Sequence, residues 1–158
     1  MSINLNNSTP AAPTGSTNVM WQRDASGNVS AYMTNATELT TDNVDLTAQA
    51  ADIVSTNLVA SPVSGMYRVS VYLIVTQAAT TSSELPPVTI TWYDQNSNLA
   101  QSLVITPSNT GNTTTTVQQA SAFLSVNSSA AIKYSTSGYA SVGATPMQFA
   151  LHIRVEVL

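Results

Sequence analysis

Met147-Gln-Phe-Ala-Leu-His-Ile-Arg-Val-Glu-Val-Leu158 is the stretch that decides the fold. Every odd position is apolar (Met147, Phe149, Leu151, Ile153, Val155, Val157), and the even positions hold Gln148, Ala150, His152, Arg154 and Glu156. A period of two places alternate side chains on opposite faces of a β-strand, one buried and one meeting water or a partner. Trimming the chain within this segment is expected to remove core.

The same signature recurs upstream. Tyr67, Val69, Val71, Leu73 and Val75 alternate with Arg68, Ser70, Tyr72 and Ile74, which predicts a long central strand. Because Tyr72 and Ile74 occupy its second face, both faces are expected to be partly covered. Val88, Ile90 and Trp92 form one face of a further strand, ended by Asp94-Gln-Asn-Ser-Asn98. Residues 44–50, 53–60, 99–106, 116–126 and 130–135 complete the set, with turns or loops at 61–65, 80–87 and 108–112. Only residues 45–54 leave room for a short helical turn. About eight strands at this spacing predict an antiparallel β-sandwich or jelly roll.

Ahead of this body the chain changes character. Residues 1–17 carry Asn4, Asn6, Asn7, Pro10, Pro13 and Gly15 without periodicity, and read as an extended arm with Ile3 and Leu5 as apolar points at its tip. Residues 19–22 and 28–32 flank Asp24-Ala-Ser-Gly-Asn28, a hairpin signal with Gly27 suited to positive φ, and a cross-strand contact between Trp21 and Tyr32 is possible. The polar stretch 34–43 reads as a linker. The expected organisation is therefore an arm (1–17), a hairpin and linker (18–43) and a sandwich body (44–158).

Composition narrows function. Only 8% of the 158 residues are charged, so the polar surface rests on Ser, Thr, Asn and Gln, as in proteins packed against neighbours. Four scattered cations (Arg23, Arg68, Lys133, Arg154) make no phosphate-tracking stripe, which argues against nucleic-acid binding. The absence of cysteine excludes disulfides and thiolate metal sites. The first residues lack a basic region followed by an apolar one, and no run approaches a membrane span, so neither secretion nor membrane insertion is expected.

Site chemistry is sparse. His152, the single histidine, falls on the polar face of the last strand with Arg154 and Glu156, as a general base or a polar interface group. No nucleophile-elbow or metal spacing accompanies it, so no catalytic residue, metal or cofactor is expected. The acids Glu38, Asp42, Asp45 and Asp52 do not have calcium-loop spacing and read as loop or capping residues. Gly138 and Gly143 flank a loop with no following helix. Tyr67 and Trp92 fit the core, while Trp21, Tyr32, Tyr72, Tyr93 and Tyr139 are candidates for an exposed surface. Among them Trp21, Tyr32, Tyr72 and Tyr93, with His152, are the expected subunit contacts, given the aromatic enrichment of interfaces.

Two resemblances follow from these residues. Residues 3–32, through their Asn-rich start, Pro10-Ala-Ala-Pro13, Asn18-Val-Met-Trp-Gln22 and Gly27-Asn-Val-Ser-Ala31, resemble stretches of tailed-bacteriophage structural proteins. Ser64-Gly-Met-Tyr-Arg-Val-Ser-Val-Tyr-Leu73 with the apolar terminal strand is similar to tumour-necrosis-factor-like jelly rolls, which implies a homotrimer packed through aromatic and apolar sheet faces. Together they imply a non-enzymatic virion protein, assembled in the host bacterial cytoplasm. The favoured role is a trimeric capsid decoration (cement) protein whose arm, through Ile3, Leu5, Pro10 and Pro13, clamps subunits of the major capsid protein. The alternatives are a tail-fibre module binding host glycan, and a hydrolase of host surface polymer depending on His152 and a carboxylate.

Overall fold

The computed structural model describes residues 18–23, 29–34 and 43–158, the first two segments by backbone alone. The chain divides into two compact units, Met1–Leu39 and Thr40–Leu158. In the first, β1 (Asn18–Arg23) pairs antiparallel with β2 (Val29–Thr34), as the hairpin signal predicts. The register sets Trp21 opposite Ala31 and Tyr32 opposite Met20, so the two aromatics are not the register partners that a cross-strand contact would use. The arm residues Ile3, Leu5, Pro10 and Pro13 lie outside the described residues.

The second unit runs through β3 (Asn43–Gln49), β4 (Thr56–Val59), β5 (Gly65–Gln77), β6 (Ser82–Leu85), β7 (Val88–Tyr93), β8 (Ala100–Thr106), β9 (Asn109–Thr110), β10 (Val117–Val126), β11 (Ile132–Thr136), β12 (Ala140–Val142) and β13 (Gln148–Val157). Its described residues include no helix, so the helical turn considered for 45–54 is strand followed by loop. Two four-stranded sheets have the orders β10-β5-β13-β3 and β4-β11-β7-β8.

If β6, β9 and β12 are set aside, eight strands remain, and each pairs with the one equally far from the middle of the chain. The first pairs with the last (β3 with β13), the second with the seventh (β4 with β11), the third with the sixth (β5 with β10), and the fourth with the fifth (β7 with β8). That is a long antiparallel ribbon rolled on itself. The β5–β13 and β7–β11 ladders then close it into two sheets. The architecture is an all-β jelly-roll sandwich, as the strand spacing predicts.

The roll is held by the inward faces. Val69, Val71, Leu73 and Val75 of β5, Leu124 of β10 and Phe149, Leu151, Ile153 and Val155 of β13 join Leu58, Val59, Val88, Ile90, Ile132 and Tyr134 of the facing sheet in one buried cluster. Each such aliphatic or aromatic side chain contributes about 1.5–3 kcal/mol by leaving water, which is why alternation predicts these strands well. Tyr67 is buried too, its hydroxyl donating to the Val63 carbonyl at 2.8 Å, and half-buried Trp92 donates its indole N–H to the Ser125 carbonyl at 3.1 Å.

Three short strands were not expected. β6 lies inside the predicted 80–87 loop, β9 inside the 108–112 loop, and β12 between Gly138 and Gly143; they form a small sheet of order β12-β6-β9. Asn112 locks this region, its side chain accepting from Ala79 N (2.6 Å) and Ser83 Oγ (2.8 Å) while donating to Ala79 O (2.7 Å).

Candidate functional site

The side chains that point away from the core on the β10-β5-β13-β3 sheet form the richest polar arrangement of the body. Backbone register arranges them in rows that run across the strands. One row is Gln119, Tyr72, His152, Asp45; the next is Ser121, Ser70, Arg154, Asn43; a third is Phe123, Arg68, Glu156. Ser70 and Ser121 are small and hydrogen-bonded to each other at 2.8 Å, so their row is a trough between larger neighbours. The resulting depression, about 570 Å³, is lined by Tyr72, Gln119, His152 and Arg154 around the two serines.

A bulge places Asp45 in its row. Between Leu46 and Gln49, β3 carries two residues against the single Ala150 of β13, and Ala48 takes the left-handed conformation at φ 55°. Asp45 then faces His152, from which it is separated by 107 positions in the chain. Its Oδ1 lies 2.6 Å from His152 Nδ1 and 2.9 Å from Arg154 Nη2. The hydrogen bond from His152, with that from Arg154, holds the Asp45 carboxyl below its ordinary 3.8. An ionised carboxylate only accepts, so Nδ1 carries the ring proton, and in the neutral imidazole Nε2 is left as an acceptor. Arg154 also donates from Nη1 to the carbonyls of Val44 (3.3 Å) and Ile153 (3.1 Å). In the third row Arg68 pairs with Glu156. Every charged side chain in these three rows is thus matched within the face.

Apolar groups stand among these neutralised charges. Tyr72 is open on one side and tilted against the His152 ring at a centroid distance of 6.2 Å, while Phe123 is 65% exposed and Met66 and Val117 are also exposed. The expectation that the second face of β5 is partly covered holds for half-buried Ile74; Tyr72 is open within this chain.

Of the expected contact residues, Tyr72 and His152 come together here. Tyr93 does not: it lies on the outer side of the other sheet, exposed and opposite Ala100. Trp21 and Tyr32 are described by backbone alone. Tyr139, read as a candidate exposed platform, is half-buried, its hydroxyl donating to the Met147 carbonyl at 2.6 Å and its ring set 6.1 Å from Phe149. The acids separate as well. Asp52 accepts from Gly138 N (2.9 Å) and Tyr139 N (3.0 Å), closing the turn before β12, whereas Asp45 serves the open face. Among the described residues no group of three His, Asp or Glu is placed to hold a metal ion.

The His152–Asp45 pair supplies the carboxylate that a polymer hydrolase would need. Among the described residues no hydroxyl is hydrogen-bonded to His152 Nε2, and the nearby serines bond to each other. What the geometry offers is a charge-balanced face with a shallow trough and exposed apolar side chains. The part played by Asp45 is missed in the sequence, where it reads as a loop or capping acid; only its place in the expected strand 44–50 points to it.

No family model and no curated protein matches the chain. Two solved structures are distantly similar to the chain. One is the Clostridium thermocellum N-terminal endo-1,4-β-D-xylanase 10B, CBM22-1–GH10 modules complexed with xylohexaose. It is 12% identical with a TM-score of 0.37, and the match covers 90% of this chain and 24% of that one. The chain therefore spans about a quarter of that structure. The other is a Bacillus endospore appendage, from a family of disulfide-linked pili, at 15% identity and a TM-score of 0.24, covering 95% and 97% of the two chains. Both are β-rich and neither is a phage protein. Likeness at this level carries no functional argument.

Proposed function

We propose that the chain is a non-enzymatic structural protein of a tailed-phage virion, a capsid decoration protein that assembles as a homotrimer and clamps neighbouring coat subunits. The observation that carries this reading is the outer face of the β10-β5-β13-β3 sheet. Covering an unpaired charge is costly, and covering paired charges among apolar groups is much less so. Here Asp45 is matched by His152 and Arg154, and Glu156 by Arg68, beside exposed Tyr72, Phe123, Met66 and Val117. Such a face suits burial against another copy, and the resemblance to trimeric jelly rolls supports three copies about an axis. The arm, through Ile3, Leu5, Pro10 and Pro13, reaches the coat protein, and three arms presented together give avidity.

Native mass spectrometry of the full chain tests the assembly step. The wild type is expected as a trimer, and Phe123→Lys, which places a cation on the face without touching the core, as a folded monomer. Deleting residues 2–17 should leave the trimer intact and abolish binding to capsids lacking the protein. A monomeric wild type, or a trimer indifferent to Phe123→Lys, would remove the proposed interface; undiminished capsid binding by the deletion would remove the clamp.

A further inference from the structure

The outer side of the other sheet carries a second depression, about 280 Å³, that the assembly reading does not use. It is lined by the small residues Ala100, Ala130 and Ala131 together with Tyr93, Lys133 and Ser102. Register explains the grouping. Lys133 of β11 lies opposite Thr91 of β7, and Thr91 lies opposite Ser102 of β8, making one row across three strands. Tyr93 stands one step along β7 on the same side, opposite Ala100, which places it diagonally beside Lys133.

The electrostatics differ from those of the first face. Arg68 and Arg154 are neutralised by carboxylates, whereas Lys133 has no salt-bridge or hydrogen-bond partner among the described residues. Its β4 partner Asn57 and the outward positions Thr89, Thr91, Ser102, Ser135 and Val104 on its other side are none of them acidic. Asp94, the carboxylate that follows Tyr93 in the chain, turns its Oδ1 to the 94–98 turn, accepting from Asn96 N, Ser97 N and Ser97 Oγ. Among the described residues the Lys133 ammonium therefore stands without a counter-charge beside an exposed aromatic ring, with the hydroxyls of Thr91 and Ser102 in its own row.

We propose that this depression binds a carboxylate-bearing saccharide. The tyrosine ring offers a surface for the C–H face of a sugar, Thr91 and Ser102 offer hydrogen bonds to its hydroxyls, and Lys133 meets the carboxylate through a charge-assisted hydrogen bond. A neutral sugar would leave the ammonium unmatched. The volume admits one sugar unit with the remainder of a chain running out over the open sheet. The site does not depend on where in a virion the protein resides.

The test is an array carrying uronic-acid and sialic-acid oligosaccharides beside their neutral counterparts, read with the full chain. Calorimetry with the best acidic binder follows. Binding is expected for acidic members, with Lys133→Ala and Tyr93→Ala each weakening it by about tenfold or more. Lys133→Arg should retain it, and Phe123→Lys, on the opposite face, should leave single-site affinity unchanged. Both target side chains are exposed, so thermal midpoints should not move. No binding to any acidic member, or acidic binding indifferent to both alanine variants, overturns the proposal. Trimer mass, measured on the same samples, reports separately on the assembly reading.

Discussion

Asp45 shows how one residue sets the character of a face. It sits on an edge strand, open to water, and Arg154 and His152 converge on a single one of its oxygens. The pairing with His152 and Arg154 holds its carboxyl below 3.8, so ionised Asp45 favours the folded chain. The sign follows from linkage: the contribution is complete above 3.8, where the unfolded carboxyl is also ionised, and is lost as pH falls from there through the lowered folded value. Because the group is solvent-exposed, the effect is screened and belongs to titration more than to overall stability. Carbonyl-detected NMR should find the Asp45 midpoint below 3.8 in the wild type and close to 3.8 in the His152→Gln/Arg154→Gln double variant. A wild-type midpoint at or above 3.8 would show that the cluster does not hold. The sequence exposed half of this arrangement. His152 and Arg154 were legible as polar neighbours on one strand face, but their carboxylate lies 107 positions away, and only the β3–β13 ladder brings it to them.

At the scale of elements, legibility tracked burial. The strands with one face in the core announce themselves, because each inward position must be apolar and each outward one need not be: β5 and β13 are the clearest cases. β6, β9 and β12 have four, two and three residues and rest on contacts with distant segments. Thr81 N donates to Val142 O at 3.0 Å and Gly111 N to Ser83 O at 3.1 Å, bonds that no local pattern encodes. Gly143 makes this small sheet possible. Its φ is +117°, and a Cβ built there would lie 2.5 Å from Thr80 Cβ and 3.1 Å from Thr81 N. Gly143→Ala therefore combines backbone strain with a clash against the segment leading into β6, and should cost more than about 1 kcal/mol in chemical denaturation. An unchanged midpoint would mean that the 143 turn is not needed in this form.

For the molecule as a whole, the jelly roll places its two sheets back to back with different outer faces. One carries balanced charges around exposed aromatics, and the other carries Lys133, unpaired among the described residues, beside Tyr93. The fold class and the sandwich body were legible because alternation and turn spacing reflect the need to bury one face of each strand. The difference between the two faces was not, since Tyr72 and Tyr93 look alike in sequence and only strand order assigns them to opposite sheets. In the proposed assembly three copies bury the balanced face and hold the body against a capsid shell. For the proposed virion role the most direct measurement is the copy number of the protein in purified phage particles, by quantitative mass spectrometry against the major coat protein. A ratio within a few-fold of the coat protein is predicted; a handful of copies per particle would contradict decoration and move the protein to the tail.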